Sequence, residues 1–168
     1  MNSTHDQRVE RLVETIGLES QLSSEQLSRL KLFARFHDIG KTKIPVTILD
    51  KPGPLTTEEM NIMKRHSEHG EKLAKDLSLV SDLILMHHEQ WDGNGYPLGL
   101  KGDQIPFECR ILSILDAYDA MTNDRPYQKA VSHEKAVQEI RRCSGKQFDP
   151  ELVDLVVNLM NRLIIEAG

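Results

Sequence analysis

Two pairs of adjacent polar residues carry side chains that are able to bind metal ions. His37 is followed by Asp38, and His87 by His88, each pair near the end of a segment with apolar residues at helical spacing. A neutral imidazole together with a carboxylate suits divalent iron, manganese or zinc. Because neighbouring helical residues point about 100° apart, adjacent ligands can reach two different ions, or one carboxylate can bridge two ions.

Asp116 adds a carboxylate inside an apolar helix, in the segment ILSILDAYDAM. Burying an unpaired charge there would be costly, so Asp116 needs a partner. Asp119 lies three residues further on and shares its helical face. A salt bridge to an arginine would satisfy Asp116 taken alone, and a single histidine is more typical of a core or surface position than of a ligand. The histidines and carboxylates taken together favour a metal site.

Helical periodicity extends over most of the chain and predicts an all-α fold of about seven helices. We expect them near 5–17, 24–38, 56–66, 79–90, 107–122, 132–144 and from 150 onward. Thr56 with Glu59 forms a capping box, Ser132 is an expected N-cap, and Gly17 is an expected stop. Two long segments rich in Gly and Pro, 39–56 and 91–106, are predicted loops. Loops of this length within a domain are often functional.

Length and charge restrict the classes of function. The 168 residues fit a single domain over 1–168. A net charge of −5 argues against a protein that coats DNA or RNA. Cys109 and Cys143 lack a metal-binding or disulfide-framework spacing, so we expect reduced thiols in a cytoplasmic protein. We expect neither a membrane span nor a signal peptide, since the N-terminus has no apolar region.

Several motifs together resemble the HD-GYP family, a subfamily of the HD-superfamily phosphohydrolases. HDIGK at 37–41 is similar to the HD motif, and HHEQWDGNGYPLGLKGDQIP at 87–106 is similar to the GYP signature. Further similar segments follow in the family's order, at 5–9, 48–59, 63–70, 114–127 and 145–153. The resemblance covers almost the whole chain. It implies a single HD-superfamily helical bundle with two functional loops.

The resemblance also implies two divalent ions, iron or manganese, with zinc and nickel as alternatives. Metal site 1 would be formed by His5, His37, Asp38 and Asp116. Metal site 2 would share Asp38 as the bridge and add His66, His87 and His88. A hydroxide bridging the two ions would attack phosphorus, which agrees with the chemistry that paired metal ions support.

Three further residues are implied as substrate contacts. Lys41 would stabilise negative charge on a phosphate, Tyr96 would stack on a base or donate to phosphate, and Arg125 would contact phosphate or guanine. Asp124 or Asp119 is an equally good structural partner for Arg125. We expect Gly95 to let its loop approach a ligand closely, and Trp91 and Asp92 to shape that loop.

The expected activity is hydrolysis of cyclic di-GMP to linear pGpG and onward to GMP. A preference for cyclic GMP-AMP is a close alternative, and an HD activity on a nucleoside triphosphate or guanosine tetraphosphate is disfavoured by the GYP loop. A third alternative is a catalytically silent module that binds a cyclic dinucleotide or a protein. Expected partners are a second copy of the chain and a regulatory or cyclase protein docking on the GYP loop.

Overall fold

Helices provide the regular structure in the computed structural model, which describes residues 4–19, 22–124 and 129–167. Short 3-10 turns at Ile39–Lys43 and Gly102–Gln104 lie within the two predicted loops. The described ranges contain no β-strand, so the all-α prediction is confirmed. The α-helices are α1 (His5–Glu19), α2 (Ser24–Phe36), α3 (Val46–Leu49), α4 (Thr57–Lys64), α5 (His66–Leu73), α6 (Ser81–Met86), α7 (Phe107–Thr122), α8 (His133–Arg142) and α9 (Pro150–Ala167).

The helix boundaries differ from the predicted ones in ways that matter for the site. The segment predicted from Thr56 is two helices, α4 and α5, with the break at Arg65. Helices α2 and α6 end before their histidines, at Phe36 and Met86. The expected stop at Gly17 is wrong, because α1 continues to Glu19. A Cβ on Gly17 would lie 2.5 Å from a Leu27 methyl carbon, so this glycine serves packing between α1 and α2.

Helix starts agree with the predicted caps. The hydroxyl of Thr56 accepts from the backbone N–H of Glu59, whose carboxylate accepts from the Thr56 N–H in return. The Ser132 hydroxyl accepts from the N–H of Lys135 at the start of α8. Each bond satisfies an N–H that has no partner within its own helix.

The core is centred on α7, which packs against α1, α2, α6, α8 and α9. Burial on more than one face is typical of a helix enclosed by others. The remaining face of α7 carries Asp116 and Asp119. The buried apolar residues of α7 are Cys109, Ile111, Leu112, Ile114 and Leu115. The same buried core cluster includes Val9, Val13, Ile16, Leu30, Phe33, Leu83, Ile84, Ile140, Val153 and Val156 from the surrounding helices.

Two glycines join the turn after α2 to α5. A Cβ on Gly40 would lie 1.8 Å from the carbonyl oxygen of His66 and 2.5 Å from the backbone nitrogen of Gly70. The backbone at Gly40 is therefore in contact with the backbone of α5, and any side chain at position 40 would push the two apart. This contact brings His37 and Asp38 next to His66.

The two cysteines and the longest apolar helices bear on the expectations about thiols and membrane spans. Cys109 is buried and Cys143 partly buried, and both are free thiols, as expected. Among the helices in the described ranges, none combines the length and apolar character needed to cross a bilayer.

Candidate metal centre

Three histidines are held by the carbonyl groups at the ends of helices. The last carbonyls of a helix lack an intrahelical partner. In each case the ring Nδ1–H donates a hydrogen bond to the carbonyl oxygen of the residue three positions earlier. Because a carbonyl only accepts, Nδ1 carries the proton and the Nε2 lone pair faces the centre of the protein. The three pairs are His37 with Ala34 (2.7 Å), His66 with Met63 (2.7 Å) and His87 with Ile84 (2.6 Å).

The residues predicted for metal site 2 lie together. One ligand atom from each of Asp38, His66, His87 and His88 lies within 4.8 Å of all the others. The Nε2 atom of His66 is 3.2 Å from that of His87 and 3.0 Å from that of His88. The lone pairs of His66 and His87 cannot bond to each other, since both rings carry their proton on Nδ1. Two nitrogens about 2.1 Å from one ion, at right angles, would lie roughly 3.0 Å apart, so the spacing fits a shared cation.

The residues predicted for metal site 1 form a second group. His5, His37 and Asp116 also bring one ligand atom each within 4.8 Å of one another. The Nε2 atom of His5 is 3.1 Å from an Asp116 carboxylate oxygen. The Nε2 atom of His37 is buried and has no hydrogen-bond partner. A buried polar atom of this kind needs an explanation, and a metal ion at this position would provide its partner.

Asp38 lies between the two groups. Its Oδ2 atom is 3.6 Å from His37 Nε2, and its Oδ1 atom is 3.6 Å from His66 Nε2. One oxygen therefore faces each group. Burial by itself would raise the pKa of this carboxyl, but electrostatic interaction with His37 and with the Lys41 ammonium holds the pKa well below its usual range. Asp38 is thus ionised and placed where a bridging carboxylate would be needed.

His5 differs in protonation from the histidines of metal site 2. Burial lowers the pKa of the His5 imidazole, but the hydrogen bonds and charges of Asp116 and Asp119 together outweigh it and raise the pKa to about 9. Burial lowers the pKa of His66 and of His87, and that of His88 to about 3. At pH 7 the His5 imidazole therefore carries an extra proton, which it must release before it can bind a metal ion. The His88 imidazole is already neutral at that pH.

This difference predicts that the two sites respond differently to pH. Between pH 6.5 and 8, we expect affinity for Mn(II) at metal site 1 to rise about tenfold per pH unit, because binding displaces the His5 proton. Metal site 2 should change little. Calorimetric titration in buffers with different ionisation enthalpies would measure the released protons for each ion. Equal proton release at both sites would contradict the expected protonation states.

Tyr96 packs against a predicted ligand. Its ring stacks on the His88 imidazole, with centroids 4.8 Å apart, and the Lys64 ammonium lies 5.0 Å from the Tyr96 ring centroid. For Gly95, the structure shows a close approach within the chain itself. A Cβ on Gly95 would meet the backbone of Glu89 and Gln90 at 2.5 and 2.3 Å. The close approach that requires glycine is therefore made to the chain's own backbone.

Glu89 anchors the 91–106 loop from within the fold. Its buried carboxylate accepts from the backbone N–H groups of Leu98 (2.7 Å) and Leu100 (2.8 Å). The loop is also tied to residues 146–147, through the Trp91 N–H to the Gln147 carbonyl and the Asp92 N–H to the Lys146 carbonyl. These bonds agree with the predicted role of Trp91 and Asp92 in shaping the loop. They hold Tyr96 against His88.

Replacing Glu89 with glutamine should loosen this loop. The amide can accept one of the two N–H bonds but presents its own donor to the other, which would cost about 1–3 kcal/mol. We expect faster hydrogen exchange at the amides of Leu98 and Leu100, measured by NMR or mass spectrometry. Asp103→Asn is the matched control, since Asp103 is an exposed carboxylate of the same loop. Unchanged protection in the Glu89 variant would show that the loop is held by other contacts.

The structure also brings together residues that the sequence did not single out. Asp119, noted in the sequence for sharing a face with Asp116 and as an alternative partner of Arg125, is buried and bonds to His5 and Arg8. Asp6, which lies in the 5–9 segment but was given no role there, brings a carboxylate oxygen within 4.8 Å of a possible ligand atom of His5 and of Asp38. Arg125, a predicted substrate contact, lies outside the described residues. Asp119 and His5 lie 114 positions apart in the sequence, so their pairing could be recognised only from the folded structure.

Comparison with known proteins places these features in a family. The profile of the HD domain family matches residues 2–152. A cyclic di-GMP phosphodiesterase of Thermotoga maritima is 41% identical over 160 residues, which cover 92% of this chain and 44% of that protein. The 3'3'-cGAMP-specific phosphodiesterase 2 of Vibrio cholerae is 34% identical over 165 residues, covering 95% of this chain and 32% of the relative. The chain therefore spans less than half the length of these relatives.

A solved structure shares the fold. An HDG"Y"P protein from Bdellovibrio bacteriovorus superimposes with a TM-score of 0.72 at 19% identity, covering 94% of this chain and 51% of the other. The family profile and the curated relatives confirm the resemblance carried by HDIGK and by the GYP segment. The chain belongs to the HD domain family, in its HD-GYP branch.

Proposed function

We propose that this chain hydrolyses a phosphodiester bond of a cyclic dinucleotide with the help of two divalent metal ions. HD-domain phosphohydrolases are metal-dependent, and this chain holds the histidine and aspartate cluster that such ions require. The observation that carries the proposal is Asp38, with one carboxylate oxygen towards each of two groups of converging imidazoles. Relatives of this chain are named as phosphodiesterases acting on cyclic dinucleotides.

The proposed ligands follow the two groups. His5, His37 and Asp116 would hold one ion, and His66, His87 and His88 the other, with Asp38 shared. Imidazole and carboxylate suit iron and manganese, which we propose as the native metals, and zinc and nickel are alternatives. When bound, two such ions lower the pKa of a water molecule between them and neutralise charge on the phosphate.

Lys41 is the proposed phosphate contact. Its ammonium group pairs with Asp38 at the edge of the site and is partly exposed, so a phosphate at the metals would lie within its reach. We expect Lys41→Met to keep both ions but to lower kcat about 10²-fold or more, because it removes positive charge from the transition state. Metal analysis and steady-state kinetics would separate the two effects. Lys43→Met, in the same turn and exposed, is the control.

Tyr96 and Arg125 are the other proposed substrate contacts. Tyr96 stacks on His88, and its phenol belongs to the lining of a small pocket with His87 and Asp116. We propose that it borders the bound dinucleotide at the metals. Arg125 follows α7 closely in sequence, and its contact with phosphate or guanine stays a prediction.

The proposed substrate is cyclic di-GMP, opened to pGpG and then to GMP, with cyclic GMP-AMP as the alternative. Both ligands appear in the names of relatives. The presence of every expected ligand for two ions argues against a silent binding module. A homodimer, and a regulatory or cyclase partner that docks on the GYP loop, stay predictions.

Turnover under anaerobic conditions tests the proposal directly. The protein would be loaded separately with Fe(II) or Mn(II), incubated with each cyclic dinucleotide, and the products separated by chromatography. We expect a linear dinucleotide that disappears on chelation, and the faster substrate would identify the preference. A folded protein that holds two ions and forms no product would contradict the proposed activity.

A further inference from the structure

His5 differs from His37, His66 and His87 in what holds its ring. The rings of His37, His66 and His87 bond through Nδ1 to backbone carbonyls. His5 is the first residue of α1, so no preceding turn of that helix offers its ring a carbonyl. Its Nδ1 lies 2.7 Å from a carboxylate oxygen of Asp119 instead.

Asp119 is itself held rigidly. Its side chain is only 2% exposed and lies on α7, one turn after Asp116. The Arg8 guanidinium donates to both of its oxygens, from Nε at 2.7 Å and from Nη2 at 2.9 Å. The side-chain amide of Asn123 donates to Oδ1 at 3.0 Å. The carboxylate is therefore fixed from two further directions and cannot follow the His5 ring if that ring rotates.

These contacts leave the two ring nitrogens of His5 with separate tasks. Nδ1 donates to Asp119, and Nε2 points to Asp116, 3.1 Å from its Oδ1 atom, at metal site 1. A carboxylate behind a ligating imidazole fixes the ring and strengthens its donation to a metal, and loss of such a partner typically costs 10–100-fold in metal affinity.

We propose that Asp119 is the positioning residue of metal site 1, with Arg8 fixing its orientation. The Arg8–Asp119 pair orients His5 so that the first residue of α1 presents its Nε2 atom to the ion. His37 at site 1, like His66 and His87 at site 2, is held by a helix-end carbonyl. His5 at site 1 relies instead on the partly buried Arg8–Asp119 pair between α1 and α7. The inference rests on the proposed metal sites and not on the reaction or its substrate.

Simple anchoring of α1 on α7 is the competing explanation. It predicts that any change that loosens α1 would weaken metal binding to the same extent. The pair Lys31–Glu14 provides the matched comparison, because it joins α2 to α1 at 2.8 Å on the surface, away from His5. Asparagine at position 119 keeps the size of the side chain and an oxygen acceptor but removes the charge.

Calorimetric titration of the metal-free full chain with Mn(II) would test the proposal. For Asp119→Asn we expect site-1 affinity to fall about 10–100-fold, with site-2 affinity unchanged. Lys31→Met should leave both affinities within about twofold. Equal weakening of both sites by Asp119→Asn, an unchanged site 1, or a matching loss in Lys31→Met would each overturn the positioning role.

Two further measurements keep the test decisive. If Asp119→Asn does not fold, because Arg8 is left beside an uncharged partner, the double variant Arg8→Met/Asp119→Asn removes both charges and should show the same selective loss at site 1. A wild-type chain that binds fewer than two ions would overturn the two-metal proposal together with this inference. Two ions bound equally tightly by wild type and double variant would overturn the inference alone.

Discussion

Asp38→Ala should abolish hydrolysis and remove at least one of the two metal ions. Asp38 places one carboxylate oxygen 3.6 Å from the Nε2 atom of His37 and the other 3.6 Å from that of His66. Alanine would leave His37 and His66 without the negative charge that balances the ions. We expect the rate to fall by at least about 10⁴-fold, which corresponds to about 5 kcal/mol of transition-state stabilisation.

Metal content and turnover should be measured on the same preparations. Asp154→Asn is the control, because Asp154 is exposed on α9 and is neither a proposed metal ligand nor a proposed substrate contact. An Asp38 variant that retains two ions and near-normal turnover would refute the bridging role. Loss of ions with an unchanged fold, monitored by circular dichroism, would support it.

Gly40→Ala should have the largest effect on stability of any single methyl addition near the site. The new carbon would lie 1.8 Å from the His66 carbonyl oxygen, and both atoms belong to or adjoin backbone that cannot rotate away. The turn after α2 must then move from α5. We expect a loss of about 3 kcal/mol in the free energy of unfolding, or roughly 6–12 °C in Tm.

The same displacement should affect the metal centre, because it separates Asp38 from His66. Thermal unfolding and Mn(II) binding would be compared with Lys43→Ala, an exposed position in the same turn. We expect the Gly40 variant to lose affinity at metal site 2 and the control to retain it. A Gly40 variant with unchanged Tm would mean that α5 can shift without cost.

The histidines bonded to helix-end carbonyls illustrate why helix ends suit this centre. A histidine beyond the last turn can donate from Nδ1 to a carbonyl that lacks a partner, and its Nε2 atom then points away from the helix. The same bond occurs at the ends of α2, α4 and α6. Helices that end towards a common point therefore deliver fixed imidazoles without any dedicated side chain for support.

The sequence by itself determined the class of the fold and indicated the ligands of the proposed metal centre. Helical periodicity predicted the all-α bundle, and the capping residues Thr56 and Ser132 predicted where two helices begin. Both signals are local, since they depend on residues three or four apart. The HDIGK and GYP segments were sufficient to indicate the family, because their residues are adjacent in the chain.

Only the tertiary structure decided how the ligands are presented. The ends of α2 and α6 could not be predicted, because side-chain bonds from His37 and His87 compete with continuation of the helix. The contact of Gly40 with Gly70, and the pairing of His5 with Asp119, join residues on different elements. Such contacts depend on how helices pack, and no periodic pattern along one segment encodes them.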